Sequence, residues 1–80
     1  MRALDRRKML RDLGVTEPGL RVLCKAVADG GTVKLGKGTR WSYMALPGLE
    51  RRALVSRAGN DFVVTHKGRS VVADARGRGW

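Results

Sequence analysis

The chain has 80 residues, which suits one compact domain with a thin core and leaves no room for a second. Seventeen Lys and Arg oppose seven Asp and Glu, a formal net charge of +10, while 42% of residues are hydrophobic, which argues against full disorder. The single cysteine excludes an internal disulfide and a Cys-based zinc site and fits a reducing cytoplasm. The charged N-terminus has no apolar h-region behind it, so no signal peptide is expected, and no apolar run approaches the length of a membrane span.

The charge is uneven. Residues 1–30 carry seven basic and four acidic groups, residues 31–80 ten and three. Twelve of the seventeen basic residues are Arg, whose planar fork suits phosphates and base edges. A polyanion is therefore expected to meet the second part of the chain. An acidic protein partner and a merely soluble basic surface are the weaker readings.

In chain order, residues 3–13 predict an amphipathic helix with Leu4, Met9, Leu10 and Leu13 on one face and Gly14 as its stop. Thr16 offers an N-cap and Pro18 a first-turn residue for a second helix over about 17–29. Leu20, Leu23, Cys24 and Val27 form its apolar stripe, and Gly30-Gly31 ends it. Residues 32–35 alternate as a short strand, 36–38 form a loop, and Thr39 is an N-cap. Residues 40–53 predict a third helix with Ser42, Leu46, Leu49 and Ala53 on one face. Pro47 requires either a kink or a break there. Residues 54–57 and 62–64 read as two strands of a hairpin around the turn residues 58–61. Thr65 caps a last helix with Val71, Val72 and Ala75 inward, and residues 76–80 read as a flexible basic tail. The fold class is α+β: three or four helices with a three-stranded antiparallel sheet.

Residues 49–69 read LERRALVSRAGNDFVVTHKGR. Leu49, Arg52, Leu54, Val55 and Arg57, then Val64, Thr65 and Gly68, fit a pattern found in MarR-like and related bacterial and phage winged-helix regulators. The segment resembles their β-hairpin wing. Ala53 stands where that pattern has Gly, and Val64 where it has Leu. The resemblance covers about residues 16–75, after an N-terminal helix over 1–15. It is an abridged version, since residues 32–38 take the place of the middle helix.

The resemblance implies a DNA-binding module, such as a transcriptional regulator or an accessory protein of a phage or mobile element. The helix from Thr39 would enter the major groove, with Arg40, Trp41, Ser42, Tyr43 and Met44 at or near the bases. The wing, with Arg57 and Asn60, would reach the adjacent groove or backbone. Lys34, Lys37, Arg51, Lys67 and Arg69 would clamp phosphates. Each has a plainer reading beside it: Trp41 and Tyr43 as core, Arg51-Arg52 as a solvated helix face, Arg57 and Asn60 as ordinary hairpin residues. The expected partner is double-stranded DNA in the cytoplasm, with monomer and two-fold dimer both open. The alternative is a small inhibitor or adaptor whose basic and aromatic face binds an acidic surface of a host protein, with Trp41, Tyr43 and Met44 as anchors. RNA is a third partner class.

No catalysis, cofactor, metal or membrane contact is expected. Residues 31–37 match G-x-x-x-x-G-K, but Gly38 stands where a P-loop needs Ser or Thr, and no Walker-B-like strand follows. Cys24 reads as a buried inert thiol on the second helix's apolar stripe. His66 is the sole histidine and has no clustered carboxylate or thiol in sequence.

Overall fold

The computed structural model describes residues 2–33 and 40–80, with backbone alone at residues 40–43. Its elements run α1 (Ala3–Leu13), α2 (Glu17–Ala28), β1 (Thr32–Val33), α3 (Arg40–Arg51), β2 (Val55–Ala58), β3 (Asp61–Val64) and α4 (His66–Gly77). The three strands form one antiparallel sheet in the order β1-β3-β2. The α+β class and the hairpin are as the sequence predicts. Of the expected first strand, Lys34 and Leu35 lie outside the described residues, as do the loop 36–38, the Thr39 cap and the replaced middle helix.

The core is aliphatic. Leu20, Leu23, Leu49, Leu54 and Val55 are its most enclosed side chains. Each such side chain contributes about 1.5–3 kcal/mol by leaving water. Helix α2 is central and packs against α3, α4 and β1. Its N-terminus follows from Thr16, whose hydroxyl accepts from the Gly19 N–H at 3.1 Å. Helix α1 packs on α4 and buries Met9, but Leu4 is 78% exposed rather than facing inward with it.

Helix α3 runs unbroken through Pro47. The proline ring removes one intrahelical hydrogen bond, yet Leu46 and Leu49 on either side of it are buried and hold the helix against the core. The helix ends at Arg51, and Ala53 lies beyond it, exposed, rather than on its apolar face. Ala53 N–H bonds to the Glu50 carbonyl and Leu54 N–H to the Leu49 carbonyl, the paired bonds of a Schellman end. Ala53 thus has φ +60°, the left-handed conformation that explains why the resembling pattern has Gly there.

Residues 76–80 are not a loose tail. Helix α4 continues to Gly77, Gly79 takes φ +96°, and the Trp80 N–H bonds to the Ala75 carbonyl at 3.0 Å. Trp80 is half-buried against the core, and the Arg6 guanidinium lies 5.6 Å from its ring centroid. The apolar ring of Trp80 and the Arg78 hydrogen bonds to Asp12 and Asp74 hold the three residues beyond the helix.

Candidate nucleic-acid interface

The hairpin is built by its turn. Ala58 pairs with Asp61, so Gly59 and Asn60 alone form the loop. Gly59 has φ +63° and Asn60 does not share the positive φ, the sign pattern of a type II′ turn that matches strand twist. Every residue from Ser56 to Asp61 is exposed, so the hairpin stands out from the core.

The register sets Arg57 opposite Phe62 on one face. The guanidinium lies 5.2 Å from the Phe62 ring centroid, within cation–π range. Arg57 Nε also lies 3.6 Å from Glu50 Oε2, on the last turns of α3. These groups line a groove of about 590 Å³ between α3 and the hairpin, floored by Leu46, Pro47 and Phe62 and edged by Gly59 and Asn60. Met44, one turn before Pro47 on α3, is 78% exposed.

A second basic group sits at the hairpin base. Thr65 joins the end of α3 to the start of α4. Its hydroxyl donates to the Ala53 carbonyl at 2.6 Å and accepts from the Gly68 N–H at 3.1 Å, while its own N–H donates to the Leu54 carbonyl. Gly68 has no room for a side chain, because a Cβ there would run into the Leu54 carbonyl and Val64. This stitch brings exposed Arg51, the last residue of α3, and exposed Arg52 after it to the corner that carries exposed His66, Lys67 and Arg69. The Arg69 guanidinium lies close against Gly31, ahead of β1.

The structure therefore divides the expected contact residues. Arg57 and Asn60 line the α3–hairpin groove, while Arg51, Lys67 and Arg69 are not among its lining residues and stand at the hairpin base. Lys34, Lys37 and Thr39 lie outside the described residues, as do the side chains of Arg40, Trp41, Ser42 and Tyr43. The backbone of the last four forms the first turn of α3. Sequence reading missed Glu50 and Phe62. Phe62 was signalled by its place opposite Arg57 across the turn. Glu50 was signalled as one of three acids in the basic part of the chain.

Charge is handled differently on the other side. Glu17 pairs with Arg6 at 3.3 Å and Arg21 at 2.9 Å, and Arg78 pairs with Asp12 and Asp74 at 3.3 Å each. The hydrogen bond that Arg78 donates to Asp12 and the charge of Asp74 raise the Arg78 pKa further. Burial pushes the half-buried Cys24 thiol up, against the opposing charge of Arg76, so it has little thiolate at neutral pH. Among the described residues no three His, Cys, Asp or Glu side chains gather to hold a metal, and no helix is long and apolar enough to cross a membrane. His66 is exposed, and its carbonyl accepts from the Ser70 hydroxyl at 3.1 Å. Comparison with protein-family models, with curated proteins and with solved structures finds no match to this chain.

Proposed function

We propose that this domain is an abridged winged helix that binds nucleic acid, duplex DNA first, through α3, the β2–β3 hairpin and the start of α4. The observation that carries the reading is a cluster of exposed basic side chains gathered at the base of the hairpin. Arg51, Arg52, Lys67 and Arg69 are exposed around one corner, and no ion pair among the described residues engages them. Such a corner attracts phosphates and releases their counterions. The sheet order β1-β3-β2, with a helix leading into an exposed hairpin, supports the winged-helix part. In this reading Arg57 and Asn60 work from the hairpin and the first turn of α3 faces the major groove.

The experiment is a fluorescence-anisotropy titration of a random 20–30-base-pair duplex across a salt series. The expected slope of log K against log salt is about −4 to −7, or roughly five to eight phosphates neutralised. A duplex-RNA competitor separates RNA from DNA. No binding at low salt overturns the reading.

The exposure of Met44 favours one second reading, a small adaptor or inhibitor docked on an acidic host protein. A stoichiometric protein partner together with absent DNA binding is its expected signature.

A further inference from the structure

The α3–hairpin groove holds a feature that a phosphate-binding surface does not need. Glu50 places a carboxylate in it, 43% exposed at the side chain, beside Arg57. As a stabiliser the pair does little, because both side chains are exposed and water screens their attraction. Toward a polyanion it is a cost, because the carboxylate repels every phosphate and competes with them for Arg57.

The chemistry of duplex DNA limits what the carboxylate can meet. It only accepts hydrogen bonds. Phosphates at neutral pH offer no donor, and deoxyribose within the strand has no hydroxyl. The donors in the major groove are the exocyclic amino groups, N4 of cytosine and N6 of adenine. A carboxylate aimed at DNA is thus satisfied by a base edge and by nothing on the backbone. Arg57, beside it, supplies the complementary donors for the acceptor edges, N7 and O6 of guanine above all. Its planar group lies 5.2 Å from the Phe62 ring centroid and 3.6 Å from the Glu50 carboxylate, so donor and acceptor are presented side by side.

We propose that Glu50 is the specificity-determining residue of this surface: it accepts a hydrogen bond from the exocyclic amino group of one base while Arg57 reads an acceptor on the same or the next base pair. The assignment rests on the nucleic-acid reading above and adds to it a base-discriminating pair within the α3–hairpin groove. The basic corner at the hairpin base then contributes affinity without sequence preference, and the groove contributes preference at the expense of affinity.

The test is selection from a randomised duplex library with the full chain, its Glu50→Gln variant and its Glu50→Ala variant, followed by anisotropy on the enriched and the random duplex. Circular-dichroism melts check that the variants fold, which exposed positions permit. The wild type is expected to enrich one position for cytosine or adenine, and the enriched base names which amino group is read. Discrimination there is expected at roughly 5- to 100-fold. Glu50→Ala loses that preference while its affinity for random duplex rises several-fold. Glu50→Gln, which can both donate and accept, shifts or loses the preference and also binds random duplex more tightly. An unchanged preference in both variants overturns the proposal, as does weaker binding of random duplex by both, which would make Glu50 a support for Arg57. A wild type that binds random duplex with no preferred base also overturns the proposal and leaves the nucleic-acid reading standing. A wild type that binds no duplex at any salt removes both.

Discussion

The two sides of this molecule differ in how many of their basic groups have a carboxylate beside them. On the side of α1, the start of α2 and the end of α4, three carboxylates hold guanidinium groups: Glu17 holds Arg6 and Arg21, and Arg78 bridges Asp12 and Asp74, while Arg2, Arg7, Lys8, Arg11 and Arg76 are exposed outside those pairs. On the side of α3, the hairpin and the start of α4, Glu50 with Arg57 is the one ion pair among the described residues, and Arg51, Arg52, Lys67 and Arg69 face solvent beside it. Surface ion pairs add little stability, so the matched side is not much the stronger for them. What differs is the share of cations that a neighbouring carboxylate cancels. Matched charges cancel within a few ångströms, whereas an unmatched cluster projects a potential over about a Debye length, 8–10 Å at ordinary salt.

The contrast can be broken by removing charge from each side in turn. Arg51→Ala with Lys67→Ala is expected to weaken duplex binding by roughly 10- to 100-fold at low salt and to flatten the salt slope by about 2. Arg11→Ala with Lys25→Ala, outside the corner, is expected to change affinity less than about threefold. Equal losses for both pairs, read by anisotropy, would show that net charge alone governs binding.

The junction that assembles the basic side can be stressed directly. Gly68→Ala drives a methyl group into the Leu54 carbonyl and Val64. The expected loss is about 1–3 kcal/mol in a denaturant melt, with duplex binding reduced at temperatures where the wild type is still folded. Thr65→Ala removes the α4 cap and the link to the Ala53 carbonyl, for about 1–2 kcal/mol.

The opposite change sharpens the contrast. Ala53 holds φ +60°, where an L-residue with a Cβ is disfavoured, and it is exposed, so no packing is lost on substitution. Ala53→Gly is expected to stabilise the fold by about 1 kcal/mol. A destabilisation would mean that the unfolded-chain entropy of glycine outweighs the relieved strain. The smallest effect belongs to the matched side. Arg78→Ala is expected to leave the denaturant midpoint almost unchanged, and to change it less still at high salt, where the Asp12 and Asp74 pairs are screened.

The residues on which the sequence resemblance rests have structural roles of their own. Leu49, Leu54, Val55 and Val64 are core, Thr65 is a cap that also ties two helices, and Gly68 is a close approach. These positions serve the junction between α3, the hairpin and α4. The pattern's exposed members, Arg52 and Arg57, are the ones a ligand can reach.

Local rules decided most of the elements. Thr16 and Thr65 accept from the N–H three residues on, as caps do, and Gly14, Gly30 and Gly79 take positive φ where helices end. Periodicity named Leu20, Leu23, Leu46, Leu49, Val71, Val72 and Ala75 as inward, and all are buried. These features depend on neighbours within a turn or two, so the sequence by itself determined them. Tertiary structure decided the rest. Pro47 stays helical because buried leucines flank it, Trp80 folds back because a core surface is there to receive it, and Leu4 stays exposed because α1 lies at the margin. The meeting of Glu50, Arg57 and Phe62 is also tertiary. The strand register brings the last two together, but the carboxylate comes from a helix, and only the packing of α3 on β2 fixes how near it lies.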